Sequence, residues 1–241
     1  MSQFYNFNFS TTSFLIGLLV AIFLIIYLVD SLQLMFIYKA LDLNPLFAFI
    51  PFYARYRIYK EYKNRVFEKN WGVLYLITLI LTLANIIFLL TISISSLENL
   101  SSFQFGGSIF MLFVTNIVLV ILNVLFYWPL LSKNYYKIIF LFYNFGFGFI
   151  YIIGTELLNI DHNGVGLLFI TLAYQIFLFV VFYKLNRDVK AGVRKIVPRL
   201  DENIFTYKEI DFILKIRGKN LTKNADYNFS MEAKFFNKEI I

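Results

Sequence analysis

The chain has 241 residues, of which 59% are hydrophobic and only 15% charged, and its formal net charge is +7. A soluble domain carries about a quarter charged residues, so this composition favours a membrane protein. The chain has no cysteine and a single histidine, His162, which excludes disulfides, thiolate metal sites and multi-histidine metal sites.

Five apolar stretches are long enough to cross a bilayer, whose hydrocarbon core of about 30 Å needs roughly 20 residues of helix. Met1–Ser13 has no positive n-region, so we expect the first stretch to be retained as a span. We therefore predict an all-α integral membrane helical bundle, with a transmembrane domain over residues 1–184 and a basic tail over 185–241. The predicted transmembrane helices are residues 14–34, 72–96, 108–131, 138–157 and 164–183.

The lysines and arginines give this bundle an orientation. All 22 fall in Lys39–Lys69, Lys133–Lys137 and Lys184–Lys238, whereas residues 1–13, 97–107 and 154–163 have none. Basic residues are retained on the cytoplasmic side, so the alternation predicts an N-terminus outside and a C-terminus inside. We expect a multi-pass protein of a bacterial plasma membrane. Retention of basic loops on the cytoplasmic side explains the positive net charge, and we do not predict nucleic-acid binding.

The connection between the first two spans has a character of its own. Leu46–Tyr53 is apolar but too short to cross, and Pro45 and Pro51 border and interrupt it, which favours an interfacial or re-entrant segment. Ala54–Asn70 interleaves basic residues with tyrosines, which predicts a helix anchored at the membrane surface, with its rings in lipid and its cations near anionic headgroups. The candidate lipid or partner contacts are Arg55, Arg57, Lys60, Lys63, Arg65, Arg194 and Lys195.

The tail is predicted to contain one further helix. Lys184–Val197 reads as a basic continuation of the fifth span. Thr206 and Glu209 have the spacing of a capping box, an apolar stripe follows, and Gly218 is the predicted stop. This amphipathic helix is expected to dock on the membrane, on the protein's own loops or on a partner. Residues 219–241 are expected to be weakly ordered.

Polar side chains inside the predicted spans are costly in lipid and are therefore candidate functional groups. They are Asp30, Asn85, Asn116, Asn123, Asn144 and Gln175. Asp30 lies inside the first span if the helix crosses at 14–34, and marks the interface if it crosses at 11–29, which fits the apolar run better. Such amides usually hydrogen-bond between helices, for about 1 kcal/mol or less each. A polar substrate path, or an ion-coupling role for Asp30, is the alternative. Gly146 and Gly148 predict a kinked stretch in the fourth span.

No catalytic or cofactor motif accompanies these residues. Glu156, Asp161 and His162 share one short loop, for which a solvated turn is favoured over a metal site. The chain has no G-x-S-x-G, H-E-x-x-H, S-x-x-K or phosphate-binding G-x-x-x-x-G-K-[ST] pattern. We predict no cofactor and favour a non-enzymatic protein over a membrane enzyme.

Residues around the first connection resemble a known pattern. Lys39-Ala40 and Ile50-Pro51-Phe52-Tyr53 are similar to the Lys-Ala-Gly…Trp…Ile-Pro-x-Tyr-Asn signature of a group of small, uncharacterised bacterial membrane proteins. Trp71 and Asn85 match the apolar helix that follows the signature. The resemblance covers about residues 39–94 and implies a polytopic membrane protein, with no activity attached.

Two functions follow as expectations. The first is a membrane-embedded accessory, scaffold or immunity-type protein, which acts through helix contacts and its cytoplasmic face and has a membrane-protein partner. The second is a subunit of a transporter or channel, in which the intramembrane amides and Asp30 line a polar path.

Overall fold

The structure is a computed structural model that describes residues 9–94, 102–146 and 164–238, and it is mostly helical. The described helices are α1 Phe9–Ala40, α2 Tyr53–Tyr62, α3 Trp71–Ile94, α4 Ser102–Tyr127, α5 Asn134–Leu141, α6 Gly164–Lys190, α7 Tyr207–Arg217 and α8 Ser230–Lys234. Two short strands, β1 Arg194–Ile196 and β2 Thr222–Asn224, pair antiparallel with Lys195 opposite Lys223. The all-α prediction is therefore corrected by one small two-stranded sheet.

Two helices are long and apolar enough to cross a membrane. Within the described residues, the qualifying stretches are Trp71–Leu89 in α3 and Gly106–Leu130, which covers α4 and the turn after it. Only 17% of each stretch is buried inside the protein. A core helix of a soluble protein would be mostly covered by its neighbours, so this exposed apolar surface favours association with a membrane.

The predicted spans and the described helices differ in their bounds. α4 stops at Tyr127 because Pro129 lies in the 3-10 turn Trp128–Leu130, where it provides no backbone N–H for a helical hydrogen bond. α5 begins at Asn134 and continues into a π-helical turn, Phe142–Gly146, so the chain departs from regular α-helix just before the predicted kink. Gly148, the rest of the predicted fourth span and the loop with Glu156, Asp161 and His162 lie outside the described residues.

The chain after α1 turns back along that helix. A 3-10 helix, Pro45–Phe49, starts where the Asn44 side chain accepts the Leu46 N–H at 3.0 Å. The Tyr27 hydroxyl then donates to the carbonyl of Phe49. Tyr27 precedes Ala40 by thirteen residues, or about 20 Å of helix. The apolar Leu46–Tyr53 segment therefore runs back beside α1 rather than away from it.

α2 lies at the centre of the main core. The Tyr59 hydroxyl donates to the carbonyl of Leu122 at 2.6 Å, and that of Tyr62 donates to Phe126 at 2.9 Å. Both tyrosines are buried against α4, so the prediction that the rings of this helix lie in lipid is wrong for them. The physical reason is that a buried phenol needs a hydrogen-bond acceptor, which lipid tails lack and helix carbonyls supply.

The start of α3 packs unusually close to α2. A Cβ atom at Gly72 would lie 2.8 Å from Cδ2 of Tyr56 and 3.1 Å from its carbonyl oxygen. Only glycine leaves room for this approach, so the residue sets how tightly the two helices pack.

The three stretches that carry all lysines and arginines meet at one end of the molecule, which we call the basic end. The Leu200 N–H donates to the carbonyl of Asn64 at 3.0 Å, joining the tail to the α2–α3 connection. The Leu221 N–H donates to the carbonyl of Pro129 at 3.0 Å, joining it to the α4–α5 connection. The tail is thus hydrogen-bonded to both connections.

The tail folds into a unit of its own, which we call the tail unit, residues 197–238. α6 ends at Lys190 and the chain turns at Gly192, with φ of +70°, into β1, so the predicted helical continuation is wrong beyond Lys190. α7 is confirmed, with a capping box at Thr206 and a left-handed stop at Gly218. The expectation of weak order is wrong for residues 219–238, which form β2 and α8.

A fully buried ion pair holds the tail unit together. Nε of Arg217 donates to Oε2 of Glu232 at 2.9 Å, and Nη1 donates to the carbonyl of Pro198 at 2.8 Å. The Tyr227 hydroxyl donates to Oε1 of Glu232 at 2.8 Å. Arg217 is 0% exposed and Glu232 3%, so α7, α8 and the chain after β1 are tied together out of contact with water.

Candidate functional site

Several predicted polar side chains come together in one cluster between the long helices. Nη2 of Arg55 in α2 lies 2.8 Å from Oδ1 of Asp30 in α1. Nη1 of Arg55 donates to Oδ1 of Asn123 in α4 at 3.3 Å. The guanidinium also lies over the rings of Phe126 and Tyr127, 5.5 and 5.8 Å from their centroids. A cation predicted to contact lipid or a partner thus joins three helices.

The cluster continues through amides toward α6. Nδ2 of Asn123 donates to Oδ1 of Asn144 at 3.4 Å. Nδ2 of Asn144 in turn donates to the Tyr174 hydroxyl in α6 at 3.0 Å. This series of polar contacts therefore connects α1, α2, α4, the π turn after α5, and α6. We call Asp30, Arg55, Asn123, Asn144 and Tyr174 the polar cluster.

A second polar contact joins α1 to α6. Nε2 of Gln33 donates to Oε1 of Gln175 at 2.7 Å and to the Gln175 carbonyl at 3.1 Å. Gln33 is buried, so the pair is shielded as an interhelical amide bond should be. Asn85 is separate from both groups, and its Nδ2 donates across to the Ser108 carbonyl in α4 at 2.8 Å.

A cavity of about 360 Å³ opens beside the polar cluster, between α2, α3 and α4. Arg55, Tyr75, Asn116 and Asn123 form its polar wall, and Tyr59, leucines and a valine form the rest. Asn116 is exposed and donates only to the Leu112 carbonyl of its own helix, at 2.8 Å. Of the predicted intramembrane amides, Asn116 is thus the one that faces the cavity without linking helices.

The charges of the polar cluster largely cancel. Side chains of Arg55 and Asp30 are 26% and 31% exposed, so the pair is shielded but not sealed. One guanidinium faces one carboxylate, and the remaining partners are neutral amides, a hydroxyl and rings. Such an arrangement fixes the positions of α1, α2 and α4, and it places one cation at the wall of the cavity.

The other predicted contact cations lie at the basic end, mostly in ion pairs. Glu61 holds Arg57 at 3.0 Å and Arg65 at 3.5 Å. Lys63 lies 2.6 Å from Glu202 of the tail unit. Hydrogen bonds from Lys63 and then Asn64 hold the pKa of Glu202 below its usual value. This carboxylate clamps the tail unit to the α2–α3 connection.

Three of the predicted cations have no ion pair within the described residues. Lys60 and Lys195 are exposed, and Nη1 of Arg194 donates to Oγ1 of Thr222 at 3.2 Å. The structure thus separates the predicted set into one cation of the polar cluster, three that brace the basic end, and three that remain uncompensated by a carboxylate.

Sequence reasoning missed several residues of these groups. Tyr127 and Tyr174 join the polar cluster, although tyrosines within the spans were not considered as partners. Arg217 was missed too, and a signal existed: it lies three or four residues after Ile213 and Leu214, on the same apolar stripe. A cation on a buried stripe predicts a buried acid opposite it.

In the described part of the chain, no three His, Cys, Asp or Glu side chains are placed to hold a metal ion. Comparison with known proteins adds no identity: no protein-family model matches the chain, and no curated protein and no solved structure matches it either. The resemblance over residues 39–94 therefore stays a prediction.

Proposed function

We propose that this chain is a five-span protein of the bacterial plasma membrane, with its N-terminus outside and its basic end in the cytoplasm. In this proposal it works without catalysis, as an accessory or scaffold that presents a folded cytoplasmic platform to a membrane-protein partner. The platform consists of the α2–α3 connection, the α4–α5 connection and the tail unit. Anionic lipid headgroups are its expected second contact.

The observation that carries the proposal is the meeting of the three basic stretches. Segments on opposite sides of a bilayer are separated by about 30 Å of hydrocarbon, so hydrogen-bonded connections belong on one side. The bonds from Leu200 to Asn64 and from Leu221 to Pro129 join the tail unit to both connections, which supports a common side for all three segments. Segments on one side must be separated by an even number of spans. The five-span prediction meets this condition, with two spans between the α2–α3 and α4–α5 connections and two between the α4–α5 connection and the tail.

The absence of cysteine makes this topology easy to test. Single variants Ser102→Cys and Asn163→Cys should react with an impermeant maleimide on intact cells. Lys234→Cys, on the exposed side of α8, should react only after the membrane is permeabilised. Labelling of all three on intact cells would rule the proposal out.

The platform role has a test of its own. Phe212 and Phe235 are exposed on the tail unit, with ring centroids 6.5 Å apart. A partner captured in mild detergent should be lost from Phe212→Ser/Phe235→Ser. Leu46→Ser/Phe47→Ser, which alters two equally exposed apolar residues beside α1, should retain it. If both double variants keep every partner of the parent protein, the tail unit is not the docking surface.

The cavity favours a second candidate function, a transporter or channel subunit. Asn116 and Arg55 would then line a polar path through the cavity. Purified protein in liposomes should pass K⁺ or Cl⁻, and Asn116→Leu should abolish the flux while leaving the interhelical contacts in place. Thr82→Val in α3, whose hydroxyl likewise donates only to a carbonyl of its own helix, is the control and should leave the flux unchanged. Equal flux from the Asn116→Leu protein would eliminate this path.

A further inference from the structure

Cations from four parts of the chain gather around Ser132, just after α4 ends. Ser132 and Arg194 line two adjoining cavities, one of about 590 Å³ and one of about 20 Å³. Lys223 lines the larger cavity, and Lys133 and Lys184 line the smaller one. We call the two cavities together the basic groove.

These cations lack carboxylate partners. No ion pair within the described residues involves Lys133, Lys184, Arg194 or Lys223. Their contacts are neutral: Arg194 bonds the Thr222 hydroxyl at 3.2 Å, and Lys223 lies 5.1 Å from the centroid of the Tyr227 ring. Lys133 lies over the Tyr135 ring at 5.5 Å. Elsewhere at the basic end, half-buried cations such as Arg65 and Lys63 do have acids beside them.

The acids near the basic groove do not cancel this charge. Glu232 lines the larger cavity but is occupied by Arg217 and Tyr227. Asp226 lines the larger cavity and Asp188 the smaller one, which leaves two acids against four cations. Burial lowers the pKa of Lys223, because its ammonium is partly withdrawn from water and the charge of Glu232 offsets this only in part. An anion in the groove would supply the remaining compensation.

The groove lies next to exposed apolar surface. Val180, one turn before Lys184 on the same face of α6, is exposed, as is Ile139, one turn after Tyr136 of the smaller cavity. A ligand whose negative charge lies at Ser132 can therefore place an apolar part against the exposed apolar side chains of α5 and α6. A charged head joined to acyl chains has this shape, and a free phosphate does not.

We propose that the basic groove binds the phosphate of an anionic phospholipid. Arg194 and Lys223 face the phosphate from one cavity, Lys133 and Lys184 from the other, and the acyl chains run along α5 and α6. The assignment of the lipid to the inner leaflet rests on the proposed function. The binding of the lipid does not depend on it, because binding is measured on purified protein.

The test compares two pairs of neutralised lysines in the full chain, purified in a neutral detergent. Lys184→Gln/Lys223→Gln removes one cation from each cavity, and Lys190→Gln/Lys208→Gln removes two exposed cations outside the groove. Binding of phosphatidylglycerol and phosphatidylcholine is titrated by native mass spectrometry. We expect the groove variant to bind phosphatidylglycerol about tenfold more weakly, with little change in the control and in phosphatidylcholine binding. Equal loss in both variants, or loss in neither, overturns the proposal.

A second variant guards against misfolding of the first. Ser132→Asp places a carboxylate among the cations, so it should raise the thermal unfolding temperature while it weakens phosphatidylglycerol binding. Unchanged lipid binding in this variant contradicts the proposal.

Two further outcomes separate the claims. Displacement of the lipid by equimolar inorganic phosphate or glycerol phosphate would identify a site for soluble phosphate and overturn the lipid assignment. Labelling of Lys234→Cys on intact cells together with normal phosphatidylglycerol binding would refute the proposed orientation and leave the site standing.

Discussion

The long helices and the tail unit arrange their apolar and polar side chains in opposite ways. Along α3 and α4 most apolar side chains face outward, and polar ones such as Asn85 bond between helices. In the tail unit the apolar residues, such as Ile213 and Leu214, are inside and most charges are outside. Each region nevertheless contains an arginine–carboxylate pair at its centre, Arg55–Asp30 in one and Arg217–Glu232 in the other.

The two pairs differ in how completely they are enclosed. Arg217 and Glu232 are sealed from water; Arg217 also donates to the Pro198 carbonyl, and Glu232 accepts from the Tyr227 hydroxyl. Arg55 and Asp30 each keep about a quarter to a third of their side chains exposed beside a cavity. Removing one partner of a sealed pair leaves the other charge buried without compensation, whereas the partner of an open pair can turn to water. The comparison therefore predicts a structural role for Arg217 and leaves Arg55 available for function.

The largest expected effect is at the sealed pair. Arg217→Ala leaves the Glu232 carboxylate buried without a cation, which should destabilise the tail unit by about 3–5 kcal/mol. Hydrogen exchange of the full chain should show the amides of α7 and α8 losing protection while those of α3 and α4 keep it. Arg187→Ala removes an exposed arginine and is the matched control, with an expected change within about 0.5 kcal/mol.

A double substitution makes this prediction sharper. Arg217→Met/Glu232→Leu removes both charges and keeps most of the volume, so it should recover much of the stability lost in Arg217→Ala. If Arg217→Ala alone leaves exchange unchanged, the pair is not what holds the tail unit together, and the contrast between the two regions fails.

The open pair should show a smaller coupling. In a double-mutant cycle of Asp30→Asn and Arg55→Gln, measured by unfolding in mixed micelles, we expect a coupling free energy of about 1–2 kcal/mol. Part of the arginine's interaction survives each single change, because Asn123 and the rings of Phe126 and Tyr127 remain in contact with it. The cycle of Lys215→Gln and Asp211→Asn, at an exposed pair on α7, should give a coupling near zero. A coupling above about 3 kcal/mol, as large as the cost of breaking a sealed pair, would contradict the distinction between the two pairs.

Sequence patterns predicted the local features of this chain better than its packing. The apolar runs predicted α1, α3, α4 and α6, and the Thr206–Glu209 spacing predicted α7, since capping and hydrophobicity act over a few neighbouring residues. β1 and β2 were missed because each has three residues and exists through pairing across about 28 positions of chain. The prediction that residues 219–238 are weakly ordered failed for the same reason.

The candidate site shows the same limit. Sequence identified Asp30, Asn123 and Asn144 as costly polar groups inside apolar runs, and all three lie in the polar cluster. It assigned Arg55 to the membrane surface, because composition says nothing about whether a helix such as α2 packs on a bilayer or between other helices. Only the return of the chain along α1 brings Arg55 to Asp30, and the pattern in residues 45–53 left interfacial and re-entrant courses open.

The smallest expected effect concerns the clamp that joins the two regions. Lys63 and Asn64 lower the pKa of Glu202 in the folded state. The contribution of this carboxylate to docking is therefore complete above the pKa that Glu202 has in the unfolded state, and it is lost as the pH falls through the lower pKa of the folded state. Spin labels at Lys60→Cys and Asn203→Cys should report a longer distance as the pH is lowered from 7 to 3. Glu202→Gln should show that longer distance already at pH 7, and less further change. Other carboxylates, such as Glu209 beside Lys238, titrate in the same interval, so the difference between the two proteins isolates the clamp. An identical distance in Glu202→Gln at pH 7 would show that the backbone bond from Leu200 to Asn64 is sufficient to dock the tail unit.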